Sequence, residues 1–296
     1  GQIAKGFGKI RDQLYIFLDK SIHQMAYTGN NTSPFVFSVL APNVGAVSGQ
    51  AVVTIDTGCF FLGPKGPYLF QGSDPVYIGA PIEGTWKTVN QSRLQYAIGC
   101  HNPLYNEVWW LFSTGAGTTY DTTLVYNYVN ETWSIFQFGI TPTCCGQFFE
   151  TLPTTPVMGS SNGYVYRTNF ATNVDGTAAI SSYCTTKPLG LGKPTEVKRV
   201  RELQMVLEAS ATAGATLTLL MGYDLAAPSS INTLLTAAGG DTWNVGTWGA
   251  AVWSVVGTMI LRCRPNGRGK YFQAKLQNNE LTQGCDVSSL IAYVDG

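Results

Sequence analysis

Val108-Trp109-Trp110-Leu111-Phe112, Thr123-Leu124-Val125-Tyr126-Asn127-Tyr128 and Thr132-Trp133-Ser134-Ile135-Phe136 decide the fold class. Each run is short, apolar and rich in β-branched or aromatic residues. Asn106-Glu107 precedes the first run and Val129-Asn130-Glu131 precedes the last. Runs of this length between turn-forming residues read as strands joined by tight turns. Helical periodicity is hard to find here or elsewhere in the chain, so the expected class is all-β.

The same texture extends in both directions. Leu14-Tyr15-Ile16-Phe17-Leu18 and Ser21-Ile22-His23-Gln24-Met25-Ala26 flank an Asp19-Lys20 turn and predict a hairpin. Ala51 to Ile55 leads to Gly58-Cys59-Phe60-Phe61-Leu62-Gly63, the turn Pro64-Lys65-Gly66 and the return Pro67 to Gly72. Pro156 to Arg167 forms a further group. A motif recurs in which an apolar run ends in Gly and an aromatic-rich run returns, at Leu62-Gly63 to Phe70 and at Met158-Gly159 to Tyr166. Groups spaced by roughly 40 to 50 residues fall in the range of propeller blades. A four-stranded blade cannot bury both faces alone, so blades stack radially. Residues 1–180 are therefore expected to form β-propeller blades, incomplete as counted in this chain.

Thr, Ala, Gly and Ser enrichment from 171 to 195, with Pro188 and Pro194, marks a passage out of the propeller, and 181–195 is expected to be a junction. Beyond it the pattern alternates cleanly. Leu203, Met205 and Leu207 share one face, and Leu217, Leu219 and Met221 share another. Met259, Leu261 and Cys263, then Phe272, Ala274 and Leu276, form two more inner faces, and Asp286 to Tyr293 closes the chain. Half-buried alternating strands pack as two sheets, so 196–296 is expected to be a β-sandwich. Leu225 to Gly249 reads as a long Ala/Ser/Thr/Gly-rich insertion.

Composition narrows the function classes. The chain has 296 residues, of which 45% are hydrophobic and only 12% charged, with 18 Lys+Arg balancing 18 Asp+Glu. A surface so poor in charge points to burial against other copies of the chain. No basic excess suggests sequence-specific nucleic-acid binding, and no apolar run is long enough for a membrane helix. The seven cysteines include no C-x-x-C pair and read as reduced core residues, which suits assembly in a reducing cytoplasm. No zinc-ligand spacing occurs, and no cofactor is implied.

Leu124 to Phe136 resembles the outer hairpin of a kelch-like blade, a loose likeness that many propellers share. Three stretches resemble the tail hub, or nozzle, proteins of short-tailed bacteriophages. They are Asp12 to Phe17 with Ser21-Ile22; Asn43-Val44-Gly45-Ala46 through Val52-Val53 and Gly58 to Phe70, ending Val76-Tyr77-Ile78-Gly79; and Arg199-Val200-Arg201-Glu202-Leu203 with Gly267 to Leu276. The resemblance implies a structural virion protein and not an enzyme. It implies a homo-oligomeric ring, commonly a hexamer, assembled in the host cytoplasm and joined to the portal and adaptor rings. Fibres or spikes would attach outside, and double-stranded DNA would pass through the lumen during genome ejection. Members of that family usually carry more sequence before the first hairpin. A start at Gly1 without Met thus reads as a fragment or a processed product, with missing blades upstream or supplied by another part of the chain.

Candidate partner-contact residues lie in the second half. Trp243, Trp248 and Trp253 are interface anchors or sandwich core. Arg199, Arg201, Arg262, Arg264, Arg268 and Lys270 gather there too, and are expected to make subunit contacts in preference to DNA contacts. A conduit that gripped phosphates electrostatically would impede sliding. Of the two histidines, His23 reads as a packing or surface residue. His101 follows Cys100, and adjacent strand residues face opposite ways, so they cannot act as nucleophile and base. Asp56, Asp74, Glu83, Glu107, Asp121 and Glu131 are scattered beside turns. The alternative to the tail reading is a secreted carbohydrate-binding or glycoside-hydrolysing β-propeller with an accessory sandwich. That alternative predicts a polar pocket with convergent carboxylates.

Overall fold

A computed structural model describes residues 1–148, 154–168, 174–175, 178–190, 195–208, 216–235, 259–279 and 286–295. The chain is all-β and divides into two compact units, Gly1–Phe170 and Ala171–Gly296.

The first unit is a row of antiparallel sheets. Strands β1 (Ala4–Ile10), β2 (Gln13–Leu18), β3 (Ile22–Tyr27) and β4 (Phe35–Ala41) form the first, in sequence order. The second holds β5 (Val53–Ile55), β6 (Gly58–Gly63), β7 (Gly66–Phe70) and β8 (Val76–Tyr77). A 3-10 turn (Ala80–Ile82), the single-turn helix α1 (Glu83–Trp86) and another 3-10 turn (Leu94–Tyr96) lead onward. The third sheet holds β9 (Ile98–Asn102), β10 (Glu107–Phe112), β11 (Thr122–Asn127) and β12 (Thr132–Phe136). The fourth has three strands, β13 (Pro142–Phe148), β14 (Thr155–Ser160) and β15 (Val165–Arg167). The leading strands touch in turn, β1 with β5, β5 with β9 and β9 with β13. These are propeller blades in an arc that does not close.

Side-chain parity explains the stacking. Cys59 and Phe61 of β6 pack with Phe17 and Tyr15 of the first sheet, whereas Phe60 and Leu62 pack with Trp110 and Tyr126 of the third. One strand further on, Val108, Trp110 and Phe112 of β10 face the second sheet, and Trp109 and Leu111 face Met158 of the fourth. Strands buried on both faces need continuous apolar runs and not alternation. That requirement accounts for Cys59-Phe60-Phe61-Leu62 and Val108-Trp109-Trp110-Leu111-Phe112. The buried Trp110 indole donates its Nε1–H to the Ala51 carbonyl at 3.0 Å, so its one polar atom is satisfied.

Strand β1 was not expected from the sequence. Glycines on both sides permit its close approach: a Cβ on Gly8 of β1 would lie 2.4 Å from Cys59 Sγ, and one on Gly49, in the loop before β5, would lie 1.8 Å from the Lys5 carbonyl oxygen.

In the second unit, β16 (Val174–Asp175) and β17 (Ala178–Ala179) pair as a small ribbon. One sheet runs β18 (Ser182–Thr185), β23 (Phe272–Asn278), β20 (Thr216–Tyr223), β21 (Ser229–Leu235); the other runs β22 (Met259–Cys263), β19 (Arg199–Glu208), β24 (Asp286–Asp295). Between them Leu203, Met205 and Cys263 meet Leu217, Leu219, Met221, Phe272 and Ala274, so this unit is a β-sandwich. A bulge between Val200 and Glu202 shifts the register of β19. It lets Val200 share the core face with Leu203 and Met205 despite opposite parity.

Two expectations change here. The stretch 181–195 lies inside the second unit and contributes β18, paired to β23, so it is not a bare junction. The stretch 225–249 contains β21, whose Thr216↔Leu235 to Met221↔Ser229 register extends the sheet, so it is not wholly an insertion loop.

Candidate functional site

Three turns at the ends of neighbouring sheets meet at an open cleft of about 630 Å³ within the first unit. Lys9 and Arg11 come from the end of β1 and the β1–β2 turn. Thr54 and Ile55 come from the end of β5, and Asp56 and Thr57 from the β5–β6 turn. His101 comes from β9, and Tyr128 follows β11. Arg11 holds φ 54°, the left-handed conformation that lets a tight turn reverse the chain.

A short polar chain orders one wall. The Tyr128 hydroxyl donates to Asn106 Oδ1 at 3.2 Å and lies 3.1 Å from His101 Nε2. With its proton committed to Asn106, the hydroxyl oxygen accepts from Nε2–H, which leaves His101 Nδ1 as an acceptor. Burial holds the His101 pKa below its usual value, and the Asp56 charge offsets part of that shift. The ring is therefore neutral at neutral pH. Burial pushes the Tyr128 phenol up, and Asp56 adds to the effect. Tyr128 also sits against Phe60, ring centroids 5.9 Å apart, which fixes one face of its ring. On the rim, Lys9 Nζ lies 3.9 Å from Asp12 Oδ1, a solvated pair worth little.

The cleft therefore offers one carboxylate, two cations, a neutral imidazole and a phenol. Among the described residues no group of three or more His, Cys, Asp or Glu could hold a metal ion. The other carboxylates noted in the sequence serve elsewhere. Glu107 Oε2 accepts from Asn102 Nδ2 at 2.9 Å and Trp109 Nε1 at 2.8 Å. Asp121 accepts from the Thr114 backbone and hydroxyl. Glu83 begins α1, and Glu131 occupies the β11–β12 turn at φ 54°. Cys100 and His101 face opposite ways as expected, the thiol toward Gly146 and the imidazole toward the cleft. His23 makes a 2.9 Å contact with Ser21 Oγ.

The residues expected to contact partners all lie in the second unit. Trp243, Trp248 and Trp253 lie outside the described residues. Arg199, Arg201, Arg262, Arg264, Arg268 and Lys270 are exposed in the sandwich unit. Arg262 approaches Glu202 at 3.7 Å across β22 and β19, which holds one guanidinium against its own sheet.

No family model and no curated protein matches the chain. Similar solved structures exist. An exo-β-1,3-galactanase from Phanerochaete chrysosporium, solved with galactose, is 8% identical over 95% of this chain and 78% of its own, with a TM-score of 0.29. A protein described as a glycoside hydrolase is 10% identical over 97% and 83%, with a TM-score of 0.24. A family 43 arabinoxylan arabinofuranohydrolase from Bacillus subtilis, solved with cellotetraose, is 11% identical over 98% and 77%, with a TM-score of 0.22. These findings correct the reading of the chain as a phage-tail ring component and not an enzyme. That reading rested on hairpin signatures, which propellers of unrelated function share because every blade needs them. No residue role or substrate passes from these structures to this chain.

Proposed function

We propose that the first unit is a carbohydrate-engaging propeller and that the cleft between its first three sheets receives the saccharide. The observation that supports this is the convergence of Arg11, Asp56 and Tyr128 from separate turns, with His101 from β9, onto one open cavity. Sugars present hydroxyl groups that both donate and accept, together with apolar ring faces. The cleft matches them with an anionic acceptor at Asp56, cationic donors at Lys9 and Arg11, the Nδ1 acceptor of His101 and the edge of an aromatic ring. A binding site of this kind needs a few placed polar groups on a rigid scaffold, and here the sheets supply the scaffold.

The test is retention of the purified chain in native gels containing soluble polysaccharides, neutral and uronic-acid-bearing, with reducing ends measured in parallel. Retention by at least one polymer, weakened about tenfold or more by Asp56→Asn or Arg11→Ala, is expected from the loss of one charge-assisted hydrogen bond. Release of reducing ends that Asp56→Asn abolishes would assign cleavage to this cleft. If no polymer retains the protein, or if retention is indifferent to both substitutions, the cleft is not a saccharide site.

A further inference from the structure

Cys100 lies on β9 and Cys145 on β13, the leading strands of the third and fourth sheets, which are in contact. Both belong to one apolar cluster with Trp109, Leu111, Val125 and Met158. The Cys100 thiol donates across to the Gly146 carbonyl at 3.5 Å, and Cys145, the residue before that glycine, packs against the same cluster from β13. Gln147 Nε2 donates to the His101 carbonyl at 3.0 Å, so the strands are also tied together just beyond the two cysteines. The vicinal Cys144 is exposed, on the other face of β13, beside Gly159.

We propose that Cys100 and Cys145 are a disulfide-forming pair that joins the third blade to the fourth when the chain meets a disulfide oxidant. Two cysteines that enter one cluster from strands in contact are placed so that side-chain rotation can bring the sulfurs to the bonded separation of about 2.0 Å. The reaction balances as thiol–disulfide exchange. A thiolate of the pair attacks a small disulfide such as oxidised glutathione, and one glutathione thiol leaves. The second protein thiolate then displaces the other glutathione. Two S–H bonds are lost, one Sγ–Sγ bond forms within the chain, and the two electrons and two protons reside in two molecules of reduced glutathione. The neighbouring Cys100 thiol and burial raise the Cys145 pKa, so the exchange is slow near neutral pH and accelerates with alkalinity. Once closed, the bond ties β13 to the strand whose next residue, His101, walls the cleft.

Peptide mapping of the intact chain tests this. Protein held in oxidised glutathione at neutral and alkaline pH is alkylated, denatured and cleaved after glutamate. This cut places Cys100 between Glu83 and Glu107, and Cys144 with Cys145 between Glu131 and Glu150. Wild type and Cys144→Ser are expected to yield the crosslinked peptide pair from monomeric protein, faster at alkaline pH, whereas Cys145→Ser and Cys100→Ser yield none. Absence of the pair in folded wild-type protein, or its persistence in Cys145→Ser, would overturn the assignment. Circular dichroism of each variant before oxidation confirms that the strands are formed.

Discussion

The hydroxyl of Tyr128 sits 3.1 Å from Nε2 of His101, linking the turn after β11 to the leading strand of the same sheet. Because the folded imidazole is held below its ordinary pKa by burial, with Asp56 pulling the other way, this contact has a pH signature. Between the folded value and about 6.5 the unfolded chain takes up a proton that the folded chain refuses. Stability therefore rises with pH through that window and falls as pH drops through it. Urea midpoints from about pH 5 to pH 7 are expected to show this slope in wild type and lose it in His101→Gln. Asp56→Asn should move the His101 ring titration, followed by NMR, further down. An upward shift would contradict the assigned geometry.

Glu107 holds two donors on one oxygen, the indole of buried Trp109 and the amide of Asn102. Glu107→Ala strands both and is expected to cost about 1–3 kcal/mol. Glu107→Gln keeps a carbonyl oxygen in reach and should cost less. Chemical denaturation of the two variants distinguishes this arrangement from a simple loss of surface charge, which would make them alike.

Gly49 meets the backbone of β1 where no side chain fits, since a Cβ there would lie 1.8 Å from the Lys5 carbonyl oxygen. Gly49→Ala must push β1 off the second sheet and is expected to lower stability by several kcal/mol, on the order of the largest single-site effects. Gly146, with nothing within 4 Å of its added Cβ, is the control: Gly146→Ala should be near neutral by thermal melting.

Strand β4 leaves Phe35, Val36, Phe37 and Val39 roughly half exposed on the outer edge of the first sheet. An apolar edge strand is a template for pairing with other chains. Phe37→Lys is expected to suppress concentration-dependent association in light scattering without a change in melting temperature. A fall in melting temperature instead would mean that Phe37 packs within the chain.

Much of this architecture was readable from residue order. The unbroken runs through Phe60-Phe61 and Trp109-Trp110 carry the signature of strands covered on two sides, and the alternation of Leu217, Leu219 and Met221 carries that of a sandwich face. Strand β1 was missed because its glycines read as turn formers, although Gly8 is there to clear Cys59. Strand β21 was missed because its Ser, Asn and Thr residues resemble a loop, although it pairs with β20 as a hairpin. The cleft was illegible for a geometric reason. Arg11, Asp56 and Tyr128 sit in separate turns and His101 on a strand, and only strand pairing and sheet stacking bring them together. The tail-hub resemblance was built on blade hairpins, which report how a propeller is made and not what it binds.

The parity of β6 and β10 has a consequence for engineering. Each inner sheet lends one wall to the sheet before it and the other wall to the sheet after, so the cooperative element is the seam and not the blade. Excising a single blade would bare apolar walls on both neighbours and leave the removed piece without either. Residues exchanged with another scaffold must therefore be transplanted as matched half-sheets, Phe61 with Phe17 or Trp110 with Phe60, along the line where they interlock.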